Sequence, residues 1–511
     1  MAAINEEAMS MAGPETGPPE HVEREVKLEA DLDAALPDLA GVVRTGDRRV
    51  HDLTATYVDT PTLDLQRART TLRRRTGGDD AGWHLKLPRE DGARTERHAP
   101  LGRTAARVPP ELRELVADVV GAAPLVPVAT LLTRRAETDL LDEDGGVVAV
   151  LCDDVVLTAP AGEGWRELEV ELTPGADPAV LERVVDALVG DGRTGISRSA
   201  RASKVARALG PLPDPSPPRS PASSAADVLL DYLRAQVGVI QAREGGLRAH
   251  DPEAVHKTRV ATRRLRSTLR VYRRLVDRAV TDPLREELRW YAGVLGEVRD
   301  VDVVREHLHD VATSLPGPHP ETVLARIEGT LGQAHADATA QLDAAVDSER
   351  LDRLAEQLVD LATAPPWRGR AARRARAVLP HLAERAVRRV ERTAAAAAAA
   401  TDPDERQRLV HETRKRAKAA RYAHEALVPA WGDPADAAAS GWEAVTEHLG
   451  STQDGVTATS WLARIRAAAA AGGEEVAPFD VLADRVARGT DAAEAAGGDA
   501  LDDARRVPRL R

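Results

Sequence analysis

Several short runs near the start of the chain alternate charged with apolar residues, and the charged positions carry both signs. In HVEREVKLE, Glu23, Glu25 and Lys27 share one face of a strand, opposite Arg24, Val26 and Leu28. TLRRRT puts Arg73 and Arg75 on one face and Leu72 on the other. WHLKL sets His84 and Lys86 against Trp83, Leu85 and Leu87, and RELEVEL sets Glu167, Glu169 and Glu171 against Leu168, Val170 and Leu172. One such run is an ordinary strand with a solvated face. The recurrence with mixed sign is what points to chemistry. If the sheet curls with its charged faces inward, the lumen needs a highly charged ligand, because uncompensated buried charge is costly. Arginine and lysine suit phosphate oxygens. Carboxylates beside them suit hard cations such as Mg²⁺ or Mn²⁺. The two together describe a metal–polyphosphate site.

A second set of cations follows helical spacing. His256, Arg259, Arg263, Arg266 and Arg270 recur at steps of three and four and share one helix face, beside the apolar stripe Leu265, Leu269, Tyr272 and Val276. HETRKRAKAAR repeats the pattern with His411, Arg414, Lys418 and Arg421. Like charges this dense destabilise a lone helix by a few tenths of a kcal/mol per pair. Neighbouring acids, solvent or an anionic ligand must offset that. The histidines lack the H-x₃-H spacing or compact carboxylates of a metal site. They suit a titratable cation on a phosphate-binding face.

The net charge of −12 argues against nonspecific nucleic-acid binding as the main role, and an aromatic content of 3% leaves little for base stacking. The lone Cys152 excludes an intramolecular disulfide and any multi-cysteine zinc site and suits a reducing compartment. Neither Cys152 nor Ser203 has a base partner in sight, so no covalent nucleophile is expected. No signal peptide and no apolar run of about 18 residues is present, which predicts a cytoplasmic protein without a membrane span.

The elements that must position these residues divide the chain. Residues 1–20 read as a disordered tail and 21–208 as strands with helices near 109–120 and 177–190. The Pro/Ser-rich run at 209–224 reads as a linker. From 225 to 500 the texture is helical, and 501–511 reads as a tail. Asp251-Pro252 and Asp402-Pro403 each predict an N-capped start for a ladder helix. The ladders lie 155 residues apart, and LGEVRDV (295–301) is echoed by LGSTQDG (449–455) at an offset of 154, so a helical unit is duplicated.

Residues 21–208 resemble the CYTH superfamily of triphosphate tunnel metalloenzymes. The resemblance lies in Glu23-x-Glu25-x-Lys27, Tyr57-Val58-Asp59-Thr60, LRRR, HLKLP, Arg94-x-Glu96, ELEVEL and Ser203-Lys204, in that order. Residues 225 to about 500 resemble the CHAD domain, through the paired H-x-x-R helices and the turns after them. The first resemblance implies an α+β domain built on an eight-stranded antiparallel tunnel. The second implies an all-α domain of two similar halves with a basic surface or cavity associated with inorganic polyphosphate.

On that basis Glu23, Glu25, Glu169 and Glu171 are expected to hold Mg²⁺ or Mn²⁺ or to position water. Lys27, Arg73, Arg75, Lys86 and Lys204 are expected to clamp phosphates. Adjacent residues face opposite ways on a strand, so only one of Arg134 and Arg135, and one of Asp153 and Asp154, can face the lumen; Arg134 and Asp153 are the preferred pair. His256, Arg259, Arg263, Arg266, His411, Arg414, Lys418 and Arg421 are the candidates for polyphosphate. The expected activity is a divalent-metal-dependent hydrolysis of inorganic tripolyphosphate. The alternatives are a non-catalytic polyphosphate-binding or targeting protein, or an adenylate cyclase or thiamine triphosphatase on the same scaffold. No specific nucleic-acid or membrane partner is expected, and the oligomeric state is open.

Overall fold

A computed structural model describes residues 20–91, 93–160, 162, 164–199, 203–214, 217–314, 320–506 and 510. The chain forms two compact units divided near Asp214, with residues 122–124 belonging to the second. The expected tail at 1–20 lies, but for Glu20, outside the described residues.

The first unit holds strands β1 (Glu20–Glu23), β2 (Glu25–Ala30), β3 (Arg44–Asp59), β4 (Thr71–Thr76), β5 (Gly82–Pro88), β6 (Arg94–Ala99), β7 (Val126–Leu141), β8 (Val147–Ala159), β9 (Gly164–Leu172) and β10 (Ile196–Arg198). Helices α1 (Asp64–Arg67), α2 (Pro110–Glu114), α3 (Ala117–Val120), α4 (Pro178–Val189) and α5 (Lys204–Leu209) flank them. The strands make one sheet in the order β1-β6-β5-β4-β3-β7-β8-β9-β2-β10, and each neighbouring pair is antiparallel. This corrects the expected closed, eight-stranded tunnel: among the described residues there are ten strands, and the ladder has two ends. Only Arg24 separates β1, which pairs with β6, from β2, which pairs with β9. The strand break at Arg24 is why one expected strand becomes two.

On β2, β4, β5 and β9 the apolar faces point away from the charged ones and are covered by helices, whereas on β7 and β8 Leu132, Val155 and Leu157 are exposed and Leu131 and Val156 share the charged face. Leu28, Leu168 and Val170 pack with Val184, Val185 and Leu188 of α4. Leu72, Trp83 and Leu85 pack with Leu112 of α2 and with Val116 and Val120. The charged faces are therefore left to the concave side. Asp59 of the Tyr57–Thr60 segment serves structure, because its carboxylate accepts from the backbone N–H groups of Thr60, Leu65 and Gln66 at the start of α1.

The second unit is all-helical: α6 (Ala225–Ala242), α7 (Glu244–Arg248), α8 (Pro252–Val271), α9 (Arg278–Thr313), α10 (Pro320–Val346), α11 (Glu349–Thr363), α12 (Ala375–Ala399), α13 (Pro403–Glu425), α14 (Val428–Trp431), α15 (Asp433–Ala471) and α16 (Ala477–Arg506). The ladders sit on α8 and α13, each capped as expected. Asp251 accepts from Glu253 and Ala254, and Asp402 accepts from Asp404. α8 packs on α9 as α13 packs on α15, and α8 also contacts α13. Two expectations change at the borders. Residues 221–224 are strapped to the start of α12 through Arg376 N–H to Pro221 O, Ala375 N–H to Ser223 O and the Ser224–Arg374 bridge, so the linker is shorter than 209–224. The last helix runs to Arg506, where a tail from 501 was expected. Among the described residues no helix is long and apolar enough to cross a membrane.

Candidate functional site

Register decides which charges share the concave face of the sheet. Glu25 lies opposite Glu171, Lys27 opposite Glu169, and Asp154 opposite both Arg135 and Glu167. Arg73 lies opposite His84, and Lys86 opposite Glu96. The predicted cations and carboxylates are thus brought together, with one correction. Arg135 and Asp154 face the site, not Arg134 and Asp153. Arg135 donates to Asp154 through two bonds of 2.8 and 2.7 Å and to Glu169 at 2.7 Å. Asp153 points the other way and pairs with Arg166 at 2.8 Å. The parity of β8 is set by its pairing with β9, which puts Cys152 and Asp154 beside Glu169 and Glu167.

Lys204 enters this face from α5 rather than from a strand. Ser203 caps the helix by accepting from Ala206 N–H, and Val205 anchors it in an apolar cluster with Tyr57, Leu131, Val156 and Trp165. That places Nζ 3.0 Å from Asp154, 2.6 Å from Glu167 and 2.8 Å from Glu169. Lys27 bridges Glu169 at 2.6 Å and Glu25 at 3.3 Å, and Lys86 bonds Glu23. For six of these groups burial opposes the charged form, yet the partners prevail. Lys27, Lys204 and Arg135 sit above their ordinary ranges, and Glu25, Asp154 and Glu169 below theirs. Glu23 differs: burial and its contact with Glu96 push it up to about 8 despite Lys86. Arg75 is pushed down to about 9 by burial and by Arg73 and Arg135.

A divalent ion fits this set. Oε1 of Glu25 is buried without a hydrogen-bond partner, and Glu171 stands directly across from it. Burial raises Glu171 with no cation paired to it among the described residues. Glu171, short of positive charge, and the Glu25 carboxylate, whose Oε1 has only Lys27 at 3.3 Å beside it, offer hard oxygen donors that Mg²⁺ or Mn²⁺ would take. Sequence reasoning left Arg135 and Asp154 as the less preferred alternatives, placed His84 on the charged strand face and Glu96 in a motif without joining them, and missed His98. Glu96 accepts from or faces His84 Nδ1 at 2.9 Å and His98 Nε2 at 3.2 Å. The alternation on WHLKL was the available signal for His84, but its link to Glu96 needs the β5–β6 register. Burial pushes the Cys152 thiol up to about 12, which removes it as a nucleophile.

In the helical unit, seven of the eight predicted residues line one cavity of about 580 Å³: His256, Arg259, Arg263, Arg266, His411, Arg414 and Lys418. Arg289, Arg299 and Lys415 join them, with Asp300 and Asp454 as the acids. Each half builds the site the same way. Gly296 lets the Arg259 guanidinium lie against its helix, and Gly450 does so for Arg414; an added Cβ would stand 3.5 and 3.2 Å from them. Asp300 pairs with Arg259 at 2.9 Å, and Asp454 acts on Arg414. The eighth residue, Arg421, is corrected. It is held by Glu425 at 2.7 Å and Glu443 at 2.6 Å and does not line the cavity. By the repeat offsets, Glu425 stands where the first half has Arg270 and Glu443 where it has Arg289.

A CYTH domain model matches residues 21–207, and a CHAD domain model matches residues 231–463. The chain belongs to the CYTH–CHAD family. Uncharacterized proteins of Mycobacterium tuberculosis strains H37Rv and CDC 1551 are each 32% identical over 489 residues, covering 91% of this chain and 93% of theirs. Among solved structures, PptA from Streptomyces chartreusis aligns with 55% of this chain and 100% of its own (23% identity, TM-score 0.46). The CHAD domain of the plant Ricinus communis aligns with 59% and 99% (20% identity, TM-score 0.44).

Two outcomes are expected of the CHAD cavity. Burial, with Arg263, Arg414 and Arg259 close by, pushes Lys418 down to about 6, so it is mostly neutral at pH 7 in the ligand-free fold. An incoming polyanion would restore its proton. If the cavity takes polyphosphate, as the resemblance implies, affinity should rise as pH falls from 8 to 6, by at most about tenfold per pH unit for one proton, and Lys418→Met should flatten that rise. Calorimetry in buffers of different ionisation heat reads the proton uptake. The same shift has a stability sign. Between pH 6 and the ordinary value of 10.5 the unfolded chain binds the extra proton, so the ligand-free fold gains stability as pH rises. The second outcome concerns Gly450. Gly450→Val should displace Arg414 and weaken binding, whereas Gly296→Ala, whose Cβ meets only an ordinary contact, should bind as before.

Proposed function

We propose that the CYTH unit is a divalent-metal-dependent triphosphatase, with inorganic tripolyphosphate as its substrate, and that the CHAD unit binds inorganic polyphosphate. The observation that carries the first part is the concave face itself. Lys27, Arg73, Arg75, Lys86, Arg135 and Lys204 converge on one surface with Glu23, Glu25, Glu169 and Glu171. A bound divalent ion would neutralise charge on the terminal phosphoryl group. Glu25 and Glu171, with Glu23 and Glu169, would hold it. Lys27, Lys86 and Lys204 already sit among carboxylates, so a triphosphate can take over contacts that are preorganised. Arg73 and Arg75 grip non-bridging oxygens. Glu23, like Glu171 a carboxyl with raised affinity for a proton, would take one from an attacking water.

An inorganic substrate is favoured over a nucleoside or thiamine triphosphate by the rings on this face. Tyr57 takes a bond from Arg73, and Trp165 donates to Glu167; both lie in the apolar cluster around Val205. Neither is presented for stacking. The test is phosphate release from tripolyphosphate, ATP, thiamine triphosphate and long-chain polyphosphate, each with Mg²⁺ and with Mn²⁺. Tripolyphosphate should be turned over fastest, and Glu23→Gln should abolish release. No release from any substrate across a broad pH range, or release indifferent to Glu23→Gln, removes the catalytic reading.

A further inference from the structure

His84, Glu96 and His98 stand apart from the acids assigned above to a hard cation. The β5–β6 register sets His84 directly across from His98 and Glu96 diagonally across from His84, all on one face. His84 and Glu96 are 1% and 5% exposed, while His98 reaches solvent. One donor atom from each residue lies within 4.8 Å of the other two. Glu96 Oε1 is 2.9 Å from His84 Nδ1, and Oε2 is 3.2 Å from His98 Nε2. The two rings meet edge to face with centroids 4.3 Å apart. Lys86 is committed to Glu23 and stays 3.9 Å from Glu96.

Hydrogen bonding leaves His84 with a conflict. Its Nε2 is 3.0 Å from the carbonyl of Asp80, on the β4–β5 turn, and its Nδ1 faces Glu96. Both neighbours accept. A neutral ring carries one N–H, so on one side it sets a lone pair against an acceptor. Only the imidazolium satisfies both neighbours, and burial, with Arg73 and Arg75 close by, disfavours that charge. A metal ion at Nδ1 removes the conflict. Nε2 then keeps its proton for the Asp80 carbonyl, which is the usual outer support of a metal-bound histidine.

We propose that His84, Glu96 and His98 form a transition-metal site, which takes a zinc-class dication through Nδ1, a carboxylate oxygen and Nε2. Donor chemistry sets the class. Two imidazoles with one carboxylate suit Zn²⁺, Co²⁺ or Ni²⁺, whereas Mg²⁺ keeps to oxygen. Ligands about 2.0–2.1 Å from a tetrahedral ion stand roughly 3.4 Å apart, so the two contacts to Glu96 need little adjustment. Glu25 and Glu171 offer oxygen alone, so the two sets of residues select different ions. Three protein ligands leave one position open on the face that carries Arg73 and Lys86. The ion also staples β5 to β6. Neither consequence depends on which triphosphate the face takes.

The test uses the full chain, stripped of metal with a chelator and titrated with Co²⁺, whose four-coordinate complexes absorb in the visible. Wild type should bind Co²⁺ with visible bands and a raised melting temperature. Zn²⁺ should displace it, and excess Mg²⁺ should not. His98→Ala removes the most exposed ligand and should weaken Co²⁺ by more than the roughly 10–100-fold that loss of an outer partner costs. Its melting temperature without metal should match that of wild type, and Co²⁺ should no longer raise it. Glu171→Gln alters only the oxygen set and should keep the bands. If wild type shows neither bands nor a shift in melting, His84 holds a proton in place of a metal and the site is overturned. Bands that survive His98→Ala, or that vanish in Glu171→Gln alone, put the ion on the acids and overturn it as well.

Discussion

Replacing Lys204 with methionine should reduce tripolyphosphate hydrolysis by roughly 10²–10³-fold, the usual effect of losing one preorganised donor at a developing negative charge. It should also loosen the strands that carry the acids. Lys204 is buried and touches Asp154, Glu167 and Glu169 at once. Without it, three carboxylates share a face with only Arg135 and Lys27 to answer them. Breaking a buried ion cluster by removing one partner typically costs about 3–5 kcal/mol. The pH dependence gives the sign. Asp154 and Glu169 have their carboxyls held below the ordinary range partly by Lys204, so its contribution is present above pH 4–5, roughly where such groups titrate when unfolded, and is lost as pH falls further. The deficit of the variant should thus be largest near neutrality and shrink in acid. Hydrogen exchange of peptides spanning 147–172 measures it. Exchange at pH 7 no faster than wild type would show that Lys204 serves the ligand alone. Lys204→Arg should restore stability better than activity, because a longer planar fork replaces a point charge.

The second large effect is on polyphosphate. Removing Arg259 and Arg414 together should weaken binding by roughly 10²–10⁴-fold, since each charge-assisted bond is worth about 1.5–3 kcal/mol. The two are not equivalent. Arg259 already spends part of its charge on Asp300, whereas Nε of Arg414 is buried with no partner. Arg414→Ala alone should therefore cost more affinity than Arg259→Ala alone. Neither should destabilise the fold much, because each leaves a crowded basic cluster. Titration at two salt concentrations checks the assignment, as the double variant should show a shallower salt dependence. Equal losses from the two single variants would argue that the cavity reads only total charge.

Much of the CYTH face was legible because strands alternate with period two and the apolar partner of each charged face was written beside it. Glu23, Glu25, Lys27, Arg73, Arg75, Lys86, Glu169 and Glu171 all follow from that. Arg134-Arg135 and Asp153-Asp154 did not, since adjacent residues of one type carry no parity. On β8 both faces are largely apolar, and only pairing with β9 breaks the tie. The exposed first half of β3 lacks alternation and left no strand signal before Leu53. On α8 and α13 the helical spacing was enough to place the ladders. It was not enough for Arg421, although Glu425, four residues on, was a visible warning. Arg289 and Arg299 arrive from α9 and required its packing on α8.

The matched Gly–Arg–Asp sets, Gly296 with Arg259 and Asp300, and Gly450 with Arg414 and Asp454, have a consequence for what the cavity can recognise. A pseudo-twofold cradle presents nearly the same surface to a ligand entering from either end. A peptide or a nucleic-acid strand has a direction and would find half of such a site mismatched. A linear phosphate chain has none: reversed, it is the same molecule. For such a ligand a duplicated helix pair would double the number of productive arrivals, and the differences between the halves at Lys418, Glu425 and Glu443 would set its two ends apart.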